Sequence, residues 1–246
     1  MNTFGKGQIA LVTGGTSGIG LALVEALHAR GVRVWFCARS VQDVTALQSR
    51  LPGTRGYVCD VTVASALKTM AAEIGTAEGR LDLLVANVGA LHEMDFNKAP
   101  LDETLLRSDI DLNITATVMT VNFFIPLLKT STKPHIVVIG SGYGWSPTSR
   151  APVYSATKAG LRAFVKSLRA QLRPSGVHVM EVVPPVVDTP AVAHKAGPKL
   201  APSRLAFATL EGLDRQLPVV FAGQTRLIPF LLRLAPGALE RITLKN

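Results

Sequence analysis

Thr13-Gly14-Gly15-Thr16-Ser17-Gly18-Ile19-Gly20, TGGTSGIG, follows the apolar run QIALVT at residues 8–13 and leads into Leu21, Leu23, Val24 and Leu27 at helical spacing. A strand-like run passing through a glycine-rich turn into a helix-like period is how a βαβ unit begins. Glycines 14, 18 and 20 let the backbone approach an anionic group, and a helix opening there aims unpaired N–H groups and a partial positive charge at it. Gly14, Thr16, Ser17, Gly18, Ile19 and Gly20 are therefore the candidate phosphate-binding set. The helix is expected to stop at Gly31, which frees the chain to turn into a second strand.

The same alternation continues. The runs VRVWFC (32–37), GYVCDV (56–61), LDLLVA (81–86), HIVVIG (135–140) and VHVMEVV (177–183) are separated by helix-sized stretches. Near-continuous apolarity in short runs is the mark of parallel strands covered on both faces, so the expected fold is α/β, a doubly wound parallel sheet. With 246 residues, 48% of them hydrophobic, one large core and a single domain over 1–246 are expected. Beyond the sixth run, Pro184-Pro185 opens a loop that passes Thr189-Pro190 and ends near Leu200, placed to cover a site beyond the strand ends as a substrate lid. A helix over 203–216, a short strand over 219–221 and an apolar helix over 225–234 with Arg226 and Arg233 near its ends complete the reading.

A net charge of +9 suits an anionic partner, but only 6% of residues are aromatic and no basic tract is interleaved with them, so nucleic acid is excluded as the partner. Cys37 and Cys59 fall at the ends of strand-like runs, where a small apolar thiol sits in a reducing compartment. The N-terminal residues carry no charged leader with a long apolar stretch, and no run of about 18 uncharged apolar residues occurs, so a cytoplasmic location is expected. No metal is expected.

At the end of the second run, Ala38-Arg39 stands where a site for NAD would place a carboxylate on the adenosine ribose. Ala38 removes the acid and Arg39 offers a fork of donors to a 2′-phosphate, which favours NADP(H). Asp60, with Val61 beside it, is expected at the end of the third strand facing the adenine, though an Asp there also serves as a helix cap.

PVYSATKAG, residues 152–160, puts Tyr154 and Lys158 at i and i+4 on a helix, one above the other. A tyrosine hydroxyl ordinarily titrates near pH 10, too high for efficient proton transfer at neutrality, and an adjacent ammonium is expected to lower it. Ser141, after the fifth run, would share that sheet edge and donate to a carbonyl oxygen gaining negative charge.

TGGTSGIG, Cys59-Asp60-Val61, Asn87-Val88-Gly89, Asn113, Ser141, YSATK and residues 184–189 together resemble the short-chain dehydrogenase/reductase family, in order, from position 8 to about 190. The resemblance implies a Rossmann-type fold and hydride transfer between NAD(P)H and a carbonyl carbon. It makes Tyr154 the proton donor, has Lys158 lower the tyrosine's pKa and hold the nicotinamide ribose, and has Ser141 orient the substrate. Asn113 would hold a water linking Lys158 to solvent, while Asn87, Gly89, Pro184, Val187 and Thr189, together with Tyr154 and Lys158, would line the cofactor site. Two departures stand out: Ala86-Asn87-Val88-Gly89 lacks one of the family's two asparagines and carries the bulkier Val88, and Pro184-Pro185 replaces the family's Pro-Gly. Enoyl reductases of the family have two more residues between tyrosine and lysine, so the three in YSATK imply carbonyl reduction or alcohol oxidation.

EVVPPVVDTP and the tail QTRLIPFLLRLAPGALERITLKN are similar to a bacterial subgroup of the family named for genes of cell-wall D-alanylation. The expected activity is NADPH-dependent reduction of a hydrophobic or acyl-type ketone, small or carrier-bound, the basic surface attracting an acidic carrier. The alternatives are an NADP(H)-binding regulatory or scaffold protein without turnover, and alcohol oxidation with NAD. The tail helix is expected to pack on the body or on a second subunit, or else to make a weak membrane-surface contact or an acyl-chain entrance. The family's usual assembly implies a homodimer or homotetramer through the helices of residues 102–128 and 154–173.

Overall fold

The computed structural model describes residues 4–98, 100–194 and 196–245. Among the described residues, seven strands form one sheet: β1 (Ile9–Thr13), β2 (Arg33–Ala38), β3 (Arg55–Val58), β4 (Leu83–Ala86), β5 (His135–Ile139), β6 (His178–Val183) and β7 (Val219–Phe221). Their spatial order is β3-β2-β1-β4-β5-β6-β7, and each neighbouring pair is parallel. The order reverses between β1 and β4, which opens a crevice beyond the carboxyl ends of those strands.

Period-two alternation divides each central strand between two cores. Ala10, Val12, Val34, Phe36, Val137 and Val182 pack with α1 (Gly18–Ala29), α2 (Val41–Arg50) and α7 (Pro202–Asp214). Ile9, Leu11, Trp35, Ile136, Val138 and Val179 pack with α3 (Ala64–Glu78), α5 (Ala116–Leu128) and α6 (Pro152–Leu172). Burial on both faces is why the runs read as continuously apolar. Gly31, at φ +73, turns the chain after α1 into β2, as expected.

α4 (Glu103–Ile110), a π turn at Asp111–Thr115 and α5 run on as one rod, Glu103–Leu128, long and apolar enough to cross a membrane by length and composition alone. Here Thr117, Val121, Phe124 and Leu128 are buried, and α5 packs on α3 and the sheet.

Two expectations are corrected. β3 ends at Val58 rather than running through Val61, because it is the edge strand: Val58 is 46% exposed, and the buried Cys59 and Val61 belong to the turn beyond it. The tail holds two helices instead of one. A 3₁₀ turn at Gly223–Leu227 precedes α8 (Ile228–Leu234), and α9 (Pro236–Leu244) follows, Pro236 being unable to extend the first helix and suited to open the second.

Candidate active site

Between β1 and α1, Gly14 and Gly18 adopt φ values of +65 and +53, left-handed conformations that suit glycine. A Cβ on Gly20 would lie 2.0 Å from the Gly14 carbonyl oxygen, and one on Gly18 would lie 2.9 Å from Thr189 Cγ2. Ser17 stands at the N-cap, yet its hydroxyl makes no capping hydrogen bond and no acidic residue occupies the first turn, so the N–H groups and dipole of α1 are left for an anion. This cradle fits a dinucleotide pyrophosphate. Asn87, after β4, ties it down: its N–H donates to Thr13 Oγ1 at 3.0 Å and its Nδ2 to the Thr13 carbonyl at 2.9 Å. Thr13 was not among the residues expected to matter. Val88 lies against Gly14, whose added Cβ would meet Val88 Cγ2 at 3.1 Å.

Farther along the same edge, Arg39 is exposed one residue past β2. Asp60 Oδ1 accepts from Thr62 N at 2.9 Å and from Thr62 Oγ1 at 2.7 Å, which ties that oxygen to its own turn. Partial burial works against its ionisation, but Thr62 and the nearby Arg39 together hold the carboxyl below its ordinary range. Val61 is buried beside it.

The opposite side of the crevice gathers the other expected residues. Asn113 lies in the π turn, a form frequent at functional sites, and is fully buried. Its Nδ2 donates to the Ala90 carbonyl at 2.9 Å, while Ala90 N donates to its Oδ1 at 3.1 Å. A Cβ on Gly89 would meet Asn113 Oδ1 at 2.8 Å and Lys158 Nζ at 3.3 Å, so these three residues converge. Lys158, 3% exposed, donates to the Ile139 carbonyl at 3.0 Å and stands 5.7 Å from the centre of the Tyr154 ring. Ser141 Oγ accepts from Tyr143 N at 3.1 Å, and the Tyr143 and Tyr154 rings meet edge to face at 6.4 Å.

The expected depression of the Tyr154 pKa is not found in this arrangement. Burial pushes the hydroxyl up to about 12; a hydrogen bond with Ser141 pulls against this, and Tyr143 and Asp109 add to the rise. Burial brings Lys158 down to about 8, with Glu181 opposing that fall. Spacing brought the two side chains together, but the ammonium covers the ring and bonds to Ile139 instead of to the phenol oxygen. At neutral pH the tyrosine thus holds its proton and the lysine its charge.

Ser141, Tyr154 and Lys158 line a cleft of about 360 Å³. Ile19, Asn87 and Gly89 reach it from one side and Pro184, Val187 and Thr189 from the other. The lid is anchored at both ends: Asp188 N donates to the Leu200 carbonyl and Leu200 N to the Val186 carbonyl, each at 2.9 Å. Its 3₁₀ turn, Pro190–Val192, presents Ala191 and Val192 to the cleft. His194 is not among the cleft-lining residues, and Lys195 lies outside the described residues.

The cleft also has walls that the motifs did not reveal: Leu91, Tyr143, Gln224, Ile228, Leu239 and Thr243. Four of the six belong to the tail, which packs on the body. Ser146 Oγ and Thr243 Oγ1 are 2.8 Å apart, Ser149 Oγ donates to the Leu244 carbonyl at 2.8 Å, and Thr225 Oγ1 donates to the Val183 carbonyl at 2.6 Å.

Among proteins of known sequence or structure, the chain is 36% identical over 179 residues to the uncharacterized oxidoreductase DltE of Bacillus subtilis strain 168, covering 73% of this chain and 71% of that one. An uncharacterized oxidoreductase of Myxococcus xanthus is 33% identical over 190 residues, covering 76% and 74%. In fold it is similar to a short chain dehydrogenase from Burkholderia cenocepacia determined with NADP, with a TM-score of 0.88 at 24% identity over 99% of both chains. It is also similar to the Pseudomonas aeruginosa RhlG/NADP active-site complex, with a TM-score of 0.81 at 24% identity over 90% of this chain and 97% of that one. The family model for short chain dehydrogenases spans residues 8–199, from the first residue before β1 to the far end of the lid. The glycine cradle, the convergence of Ser141, Tyr154 and Lys158, and that match agree: the chain belongs to the short chain dehydrogenase family and is an oxidoreductase with a nicotinamide cofactor site.

Proposed function

We propose that the protein is an NADPH-dependent ketoreductase acting on a hydrophobic or acyl-type ketone, with Tyr154 as the proton donor. The observation that carries this reading is a tyrosine still protonated at neutral pH, sharing the cleft with Ser141 and covered by the cationic Lys158, where the apolar Leu91, Ile228 and Leu239 also line the walls. Gly14, Gly18, Gly20 and the open end of α1 would hold the pyrophosphate, Arg39 the 2′-phosphate, and Lys158 and Thr189 the nicotinamide end. When bound, the cofactor supplies the hydride. Ser141 donates to the substrate oxygen as negative charge develops there, Tyr154 delivers the proton from its hydroxyl, and Lys158 stabilises the phenolate left behind. Asn113, packed against Gly89 beside Lys158, would connect the lysine to a solvent path for reprotonation. NADP in the Burkholderia and Pseudomonas structures supports the phosphorylated cofactor. A net charge of +9 supports an acidic carrier as the bearer of the ketone. The half-buried apolar residues Leu112, Ile114 and Phe123 support a homodimer or homotetramer through the Glu103–Leu128 rod.

A panel of ketones, each followed by NADPH consumption with purified protein, tests the activity. Turnover of hydrophobic or acyl-type ketones is expected, and binding of NADPH with no turnover of any member would reject the enzyme reading. Lys158 must be charged for the phenolate to be stabilised, so the rate of reduction should be level through neutrality and fall as pH rises through about 8. Arg39→Asp, with Ala38 kept, should lower the NADPH-to-NADH ratio of kcat/KM by roughly 10- to 100-fold, the loss of charge-assisted bonds to one phosphate. An unchanged ratio would remove Arg39 from cofactor selection.

A further inference from the structure

Behind the catalytic lysine lies a second buried ionisable group that the chemistry above does not use. Glu181 interrupts the apolar run of β6 and is 2% exposed, facing the same side of the sheet as α6. Its Oε1 accepts from Trp145 Nε1 at 3.2 Å, and the Arg162 guanidinium stands 3.6 Å from the centre of the Trp145 ring. A Cβ on Gly140 would lie 2.7 Å from that same Oε1. The carboxylate therefore lies against Gly140, the residue between Ser141 and Ile139, whose carbonyl accepts the Lys158 hydrogen bond.

A carboxylate out of water needs cations nearby. Those acting on Glu181 all come from α6: Arg162, Arg169 and Lys158. Arg169 is already committed, its Nε donating to the Val179 carbonyl at 2.7 Å and a terminal nitrogen to the Pro218 carbonyl at 2.6 Å. Arg162 is held on the tryptophan, and its Nε has no hydrogen-bond partner. Lys158 is the cation at the reacting end.

We propose that Glu181 is a positioning residue for Lys158, its carboxylate oriented by Trp145 to serve as the buried counter-charge that keeps the lysine an ammonium beside Tyr154. The influence is mutual. Burial draws Lys158 toward neutrality while Glu181 resists it; burial raises Glu181 while Trp145, Arg162, Arg169 and Lys158 lower it. Lys158 faces the Tyr154 ring on its own helix, and Tyr143, on the turn after β5, and Asp109, on α4, act on that tyrosine. The inference rests on the reading of Lys158 as the cation that supports proton transfer from Tyr154.

The test is a titration of Lys158 itself, by NMR of protein labelled with ¹³C at the lysine ε-carbons, the resonance being assigned by its loss in Lys158→Met. Glu181→Gln keeps an acceptor for Trp145 and removes the charge; its Lys158 midpoint should fall by about one pH unit or more. The alkaline limb of kcat against pH should move down with it. Should the glutamine variant not fold, Glu181→Met offers similar volume without polarity, and the same downward shift is expected. An unchanged Lys158 midpoint in either folded variant overturns the proposal. A shifted midpoint in a protein that reduces no ketone leaves the counter-charge in place and rejects the ketoreductase reading.

Discussion

Tyr154→Phe should lower kcat for ketone reduction by about 10²- to 10⁴-fold, the range over which a positioned general acid contributes. NADPH affinity should change little, because the ring remains in place for Tyr143 to meet edge-on and for the Lys158 ammonium to cover. A hydroxyl pushed up to about 12 is fully protonated at neutral pH, so its removal takes away an available proton and no charge. Turnover under saturating ketone, with NADPH binding measured by fluorescence in parallel, separates these effects. A phenylalanine variant that kept kcat within about threefold would show that the proton reaches the substrate from another group.

The central strands were legible in the sequence for a physical reason: β1, β2, β4, β5 and β6 are buried on both faces, and apolarity without alternation records that directly. β3 was misplaced by the same rule. On the sheet edge its own residues are partly exposed, while the buried Cys59 and Val61 just beyond it resemble strand interior. The glycine turn and the Tyr154-Lys158 pair were readable because their work depends on short sequence spacings. The protonation of Tyr154 was not, because spacing at i and i+4 brings two side chains together without specifying that the ammonium meets the ring face or that both groups are buried. Nor were the walls supplied by Ile228, Leu239 and Thr243, which reach the cleft only through a tail whose packing is tertiary. Glu181 did leave a signal. A carboxylate inside VHVMEVV breaks an otherwise apolar strand, and a charge at such a place requires partners.

Gly20→Ala should combine the largest losses of stability and cofactor binding, because the added methyl meets backbone. Its carbon would lie 2.0 Å from the Gly14 carbonyl oxygen, 2.8 Å from the Gly14 carbonyl carbon and 2.7 Å from Asn87 Nδ2. None of the three can step aside cheaply. Asn87 is pinned to Thr13 by two hydrogen bonds, and Gly14 already sits at φ +65. The first turn of α1 must therefore withdraw from the glycine loop, at an overpacking cost of about 1–3 kcal/mol, occasionally more. For a chain of this size that lowers Tm by roughly 2–4 °C per kcal/mol. The same withdrawal carries the uncapped N–H groups of α1 away from the phosphate. If two bonds to a charged group are lost at about 1.5–3 kcal/mol each, the Kd for NADPH rises by at least about 100-fold. Gly237→Ala is the matching control: it lies near the start of α9, and among the described residues beyond its own helix backbone and chain neighbours its added carbon would meet the end of Arg241, 4.0 Å away. That variant should keep both Tm and Kd. Calorimetry and a binding titration on the two proteins suffice. A Gly20→Ala protein that retained NADPH affinity within about threefold would mean that the turn between β1 and α1 is not where the phosphates are held.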